Sequence, residues 1–373
     1  MSDYYDYLSW RGDISFSDVG MCEADYIVFC AVSYLPFDGL VSEDLQTPVR
    51  LGDAIKKMRD LVAQTQKPKK TKKAAAKTTS DREYMFKGDD RLTELITESP
   101  RFADVEMSGF VNRIDTEQQK QFCAMTFRLP DGDIVVTFRG TDSTIVGWKE
   151  DFNMGFMYEL PSQKDAVEYL KDAAKAFPRE KIYVCGHSKG GNLAMYSSFF
   201  CPARVQKRIV SVRNLDGPGF IEEVLGKEGP KGILERTKSY IPQSSVVGML
   251  LSHEEPYLVV HSTNYALMQH QLSSWEIRRG EPVEEEGTTN SSRRIDRTLK
   301  QWVSEMSIEQ RGKLIDGVYE IVSESDAKTL AELATGKSTL AMIKAMSKLD
   351  DEQKVLFRTA YKIFKESLKQ SRS

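Results

Sequence analysis

The stretch KIYVCGHSKGGNLAMYSSFF, residues 181–200, decides the fold. Residues 182–185 form a short apolar run of strand formers. GGNLAMYSSFF reads as a helix that starts at once. Between them stands G-x-S-x-G: Gly186, His187, Ser188, Lys189 and Gly190. A serine on a tight strand-to-helix turn projects its hydroxyl from the C-terminal edge of a sheet. The backbone is crowded there, and Gly186 and Gly190 remove side chains that would collide. The following helix aims its N-terminal dipole and free N–H groups at a developing oxyanion. A glycine-rich turn with a solvent-facing serine also contains this pattern. The flanking strand and helix favour a nucleophile elbow.

Outward from the elbow, QFCAMTFRL (121–129), the turn PDGD and IVVTFRG (134–140) read as a β-hairpin ending at Gly140. Ala166, Val167, Leu170, Ala173, Ala174 and Phe177 recur at helical spacing before Pro178. RIVSVRNLDG (208–217) and YLVVHS (257–262) are strand-like. Strands alternating with helices predict an α/β fold with a mostly parallel central sheet covered on both faces. Asp25 and Pro36 bracket YIVFCAVSYLPF as N-cap and stop of a buried helix, favoured over a strand. Residues 44–110 read as a polar, mostly helical insert. It holds KPKKTKKAAAKTTSD (67–81), a solvated loop or frayed helix rather than a nucleic-acid site, because no aromatics interleave with the lysines. Residues 294–373 turn purely helical. Ser307 and Gln310 form a capping box, and Leu356, Ala360, Ile363 and Phe364 share one face of a last helix. The expected division is a hydrolase-type domain over 1–293, carrying the insert, and a helical C-terminal region over 294–373.

Composition narrows the function. Lys plus Arg is 52 and Asp plus Glu is 55 in 373 residues, a net charge of −3, so nothing draws the whole chain to nucleic acid or an anionic membrane. The 5 cysteines include no CxxC, which argues against a disulfide framework or zinc knuckle. The N-terminal MSDYYDYLSWRGD lacks an apolar h-region, and no apolar run is long enough for a membrane span. A cytoplasmic protein is expected, and the Arg11-Gly12-Asp13 triplet is discounted accordingly. ATGKST (334–339) imitates the end of a P-loop, but Ala331 stands where its first glycine belongs.

A serine hydroxyl needs a base, usually histidine oriented by a carboxylate, in the chain order Ser, acid, His. Three histidines follow Ser188. His270, in the loop NYALMQHQLSSW after the last core strand, is preferred to His261 at a strand end and to His253 in an apparent surface turn. His187 should point away from the nucleophile. Asp216, in LDGPGF just past a strand, is the preferred acid; a plain Asx-turn role, or Glu254 or Glu255 as the acid, are the alternatives. Oxyanion donors are expected at the Lys189 amide and at Thr141, after Gly140. Met154, Phe156, Met157 and Tyr158 could be lid, acyl-binding surface or ordinary core.

VVTFRGTDSTIVGWKEDF and VCGHSKGGNLA resemble the class 3 (triacylglycerol) lipase branch of the α/β-hydrolases. The resemblance spans roughly residues 120–275. It implies Ser188 as nucleophile and Thr141 as oxyanion residue, with Trp148 and Asp151 in support. HQLSSW resembles that family's His followed by Trp, which favours His270. One departure stands out: Ser244 and Ser245 occupy the stretch where class 3 lipases carry the acid. LDGPGF is instead similar to the LDPAGP turn of pancreatic-type lipases, whose acid follows the earlier strand. The whole chain, with YLSWRGDISF and PQSSVVGMLL, is similar to a bacterial branch catalogued as a domain of unknown function. The implied chemistry is ester hydrolysis through an acyl-enzyme, on a small acyl-ester substrate, with neither metal nor organic cofactor. The alternative is a catalytically silent binding or scaffolding module.

Overall fold

A computed structural model describes residues 2–65, 89–141, 145–155, 157, 159–226, 232–323 and 351–370. The lysine-rich run at 67–81, the segment 334–339, Phe156 and Tyr158 lie outside the described residues, as does the Trp148 side chain.

Strand β1 (Val49–Arg50) and the hairpin β2 (Glu106–Asp115), β3 (Lys120–Arg128) and β4 (Ile134–Phe138) pair antiparallel. From β4 the sheet turns parallel through β5 (Ile182–His187), β6 (Ile209–Leu215), β7 (Thr237–Pro242) and β8 (Tyr257–Val260). A small hairpin, β9 (Ile277–Arg278) and β10 (Glu281–Pro282), stands apart, and β11 (Glu284–Glu285) closes the far edge antiparallel to β8. The spatial order β1-β2-β3-β4-β5-β6-β7-β8-β11 is an α/β-hydrolase sheet. The insert expected to be helical thus ends in a ten-residue strand, β2. TKSYIP also pairs, as β7 between β6 and β8 of the parallel block.

Period-2 alternation gives this sheet two apolar faces. On one, Val135 and Cys185 pack with α1 (Tyr4–Arg11), α2 (Glu23–Val32), α3 (Leu51–Thr65) and α4 (Asp89–Glu98). On the other, Ile134, Val136, Phe138 and Val184 meet α6 (Pro161–Ala176) and α7 (Lys189–Phe200); α5 (Ile145–Asn153) lies between β4 and α6 in the chain. Each fully buried large apolar side chain contributes roughly 1.5–3 kcal/mol. Helix α2 is buried on nearly all sides, as its unbroken apolar run requires. Its Asp25 sits one turn inside rather than at the cap: it accepts the Cys22 N–H (2.8 Å) and pairs with buried Arg101 (2.6 Å).

The C-terminal helices are α8 (Asn290–Ser304), α9 (Ile308–Ser323) and α10 (Asp351–Gln370). Ser307 and Gln310 exchange the two bonds of a capping box (2.9 and 3.2 Å). Leu356, Ala360 and Ile363 pack with Met306 and Leu314 in a small core of their own. Among the described residues no helix is long and apolar enough to cross a membrane.

Candidate active site

Strand β5 delivers the chain to Ser188 in a conformation that few residues adopt, φ +59° and ψ −132°. Such backbone costs on the order of 1–3 kcal/mol and persists only where its surroundings dictate it. Here the surroundings are backbone. A Cβ on Gly186 would run into the carbonyl of Gly190, and one on Gly190 into the carbonyl of Phe138. The two glycines let β4, β5 and α7 close to contact distance. Ser188 donates its N–H to Leu215 O (2.9 Å), and its carbonyl accepts from Gly191 (2.8 Å). Ser188 is only partly buried. Among the described residues its hydroxyl has no hydrogen-bond partner.

The neighbouring strand ends supply the rest. Asp216 follows β6 at φ +50° and is 1 % exposed. Its Oδ2 lies 2.6 Å from His270 Nδ1. An ionised carboxylate only accepts, so Nδ1 carries the proton and the Nε2 edge is left as the lone pair. Oδ1 accepts from the Ser245 hydroxyl (2.5 Å) and the Gly248 N–H (3.1 Å). Asn214 makes the turn instead: its side chain takes the Gly217 N–H (2.8 Å) and donates to the Gly217 carbonyl (3.0 Å). The Asp216 carboxylate is thereby left to face His270.

His270 ends a short 3-10 turn after β8. Its loop is pinned by buried Trp275, whose indole N–H donates to Gln269 O (2.9 Å), and by Gln269, whose amide accepts from Ser244 N (2.7 Å). His187 does more than turn aside. Its ring lies 4.5 Å from that of His270, centroid to centroid. Its Nε2 meets the His270 carbonyl and its Nδ1 meets the Tyr34 hydroxyl, both at 2.8 Å. A carbonyl cannot donate, so Nε2 holds the proton and Tyr34 donates to Nδ1. Burial, with His270 nearby, drives the His187 pKa well down, so the ring stays neutral.

The other two candidate bases are engaged elsewhere. His253 is bonded to buried Glu255 (2.7 Å), which also accepts from Ser239 (2.5 Å). His261 pairs with Glu285 (2.6 Å) at the sheet edge. Neither His253 nor Glu255 has a hydrogen bond to Asp216 or His270.

On the opposite side, Gly140 touches the elbow: a Cβ there would lie 2.9 Å from Ser188 Cβ. The next residue, Thr141, donates its hydroxyl to both oxygens of Asp151 (2.6 and 2.7 Å). Burial pushes the Asp151 carboxyl up to about 6, against the pull of Lys189 and the Thr141 bond. Lys189 opens α7, but its side chain runs inward to Glu150 (2.7 Å). Met154 and Met157 line a small cavity of about 10 Å³ beside Asn192 and Phe220, room for no more than one water.

The sequence alone missed Tyr34, Ser245, Gly248 and the Lys189–Glu150 pair. Asn214 carried a readable signal, an Asx residue three positions ahead of Gly217 in the stretch NLDGPG.

The sheet order and the strand-to-helix corner define a lipase-like α/β-hydrolase fold. The chain belongs to the Mbeg1-like family, whose model matches residues 96–320. Among solved structures it is similar to Rhizomucor miehei lipase in a propeptide complex, at 17 % identity over 42 % of this chain and 57 % of that one (TM-score 0.30). A mutant form of MDLA from Penicillium cyclopium matches at 14 % identity over 75 % of this chain and 91 % of that one (TM-score 0.40). Lipase II from Rhizopus niveus matches at 16 % identity over 42 % and 63 % (TM-score 0.29). The chain thus spans less than two thirds of the length of the two lipases. No match was found among curated proteins.

Proposed function

We propose that the chain is a serine hydrolase that cleaves carboxylic, and in particular acyl-lipid, esters through an acyl-enzyme. Ser188 Oγ attacks the ester carbonyl while His270 Nε2 takes its proton. Asp216 holds the imidazole in the right tautomer and stabilises its cation. The amides of Thr141 and Lys189 receive the oxyanion, each worth roughly a hundred- to a thousand-fold in rate. The alcohol leaves with the proton from His270. Water, activated by the same histidine, then releases the acid.

The observation that carries this reading is the 2.6 Å contact between Asp216 and His270, made beside a serine held in strained backbone. Exposed Tyr265 and Met268 on the base's own loop suit an apolar acyl group. Five free cysteines suit a reducing cytoplasm. Residues 1–293 would be the hydrolase unit and 294–373 its helical appendage. A silent binding module is the second reading, and the partnerless Ser188 hydroxyl favours it. Turnover of short- and long-chain p-nitrophenyl esters tests the choice. Wild type should hydrolyse at least one chain length and Ser188→Ala none. No turnover of any ester supports the binding module.

A further inference from the structure

Lys189 holds a charge at the elbow that the hydrolytic cycle does not use. Its side chain is 1 % exposed and that of its partner Glu150 is 0 %. The ammonium donates to Glu150 Oε2 (2.7 Å), to the Gln121 carbonyl (2.7 Å) and to Gln121 Oε1 (3.1 Å). Glu150 in turn accepts from the Gln121 N–H (3.0 Å) and the Ser162 N–H (3.2 Å). Stability alone gives no reason for this arrangement, because a well-packed apolar pair of similar volume is commonly as stable as a buried ion pair or more so. An apolar pair would, however, lack direction. Three bonds from one nitrogen fix the start of α7 against β3 and α5.

Both ends of the pair adjoin the oxyanion donors. The Lys189 amide is one of them. Glu150 directly precedes Asp151, whose carboxylate grips the Thr141 hydroxyl at 2.6 and 2.7 Å. Resting on the hydrolase reading above, we infer that the Lys189–Glu150 ion pair is the positioning device of the oxyanion hole, locking the corner amide to the helix that holds Thr141.

The pair also acts through charge. Asp151 feels Lys189 from α7, Glu150 on its own helix, Thr141 from the loop after β4, and His270 from the loop after β8. Tyr34, two residues past α2, is a further neighbour. Lys189 draws the Asp151 carboxyl down more strongly than Glu150 pushes it up. Removing both charges therefore leaves Asp151 harder to ionise, and its grip on Thr141 fails at a higher pH. Removing the Glu150 charge alone has the opposite sign.

The test is the double variant Lys189→Met/Glu150→Leu, which leaves no orphaned charge, beside Glu150→Gln. Ester turnover is measured from about pH 5.5 to about pH 9, with kcat and KM separated. The double variant should lose about a hundredfold in kcat, keep KM within about twofold because the oxyanion exists only in the transition state, and show its acid limb at higher pH. Glu150→Gln should lose less than about tenfold and move that limb to lower pH. A folded double variant with wild-type kcat and an unmoved limb overturns the inference. Should the double variant not fold, Glu150→Gln decides: an unchanged kcat and limb overturn it as well. A wild type inert to every ester removes the hydrolase reading and this inference together, whereas an active wild type with unimpaired variants removes only this inference.

Discussion

The two halves of the site are held in different ways. The elbow, from β4 through β5 into α7, is shaped by backbone crowding, with carbonyls where Gly186 and Gly190 would otherwise carry side chains. The proposed acid–base arm is shaped by side chains: Asp216 after β6, Ser245 and Gly248 after β7, and His270 after β8 are joined by hydrogen bonds. A half built from backbone tolerates no added atom. A half built from polar bonds yields in steps, one bond at a time.

That contrast ranks the substitutions. Gly190→Ala should abolish turnover and lower the thermal midpoint sharply, because the colliding atom is a main-chain carbonyl that cannot swing away. Asp216→Asn should keep the fold yet lower kcat by about ten-thousand-fold, since an amide can present a donor to His270 and fix the wrong tautomer. Ester kinetics with circular dichroism separates the two. Ser245→Ala removes one of two donors to Asp216 Oδ1. About tenfold in kcat is expected, with a loss of about 1.5–3 kcal/mol in denaturant unfolding, the range for a bond to a charged group.

Asp151 sharpens the comparison through pH. Its carboxyl is raised to about 6, so the folded state disfavours the ionised form. That penalty is full above about 6 and fades as pH falls toward the ordinary carboxylate range. Asp151→Asn should therefore melt higher than wild type at alkaline pH, with the advantage shrinking below about 6, while kcat falls. His187 has the opposite sign. Its lowered pKa means that the unfolded chain binds the proton first, so wild-type stability should drop as pH falls below the ordinary histidine range. The smallest effect is expected at Asp316, which meets buried Lys149 of α5 at 2.5 Å from a mostly exposed position. Asp316→Asn keeps a side-chain oxygen that can accept from the Lys149 ammonium and should cost about 1 kcal/mol in thermal unfolding.

What could be read from the sequence follows the same divide. The elbow, the hairpin ahead of it and α6 rest on local periodicity and glycine placement, which lie in a few adjacent residues. Asp216 and His270 could be nominated because strand ends and a short supply of histidines limited the choice. Ser245 could not. It stood where class 3 lipases carry the acid, and only the fold shows its hydroxyl against Asp216. Tyr34 against His187, and Lys189 against Glu150, are pairings between distant segments with no periodic trace. Strand β7 leaves little trace in the sequence because TKSYIP is short and carries both a lysine and a proline, yet it lies inside the parallel block, between β6 and β8.

Ester hydrolysis by the proposed route requires that His270 make the Ser188 hydroxyl a nucleophile. Reaction with a fluorophosphonate, followed by mass spectrometry of the peptide holding residues 182–200, measures this directly. The predicted result is phosphonylation at Ser188 in wild type and its loss in His270→Ala. An unmodified wild type, or equal modification without His270, would contradict it.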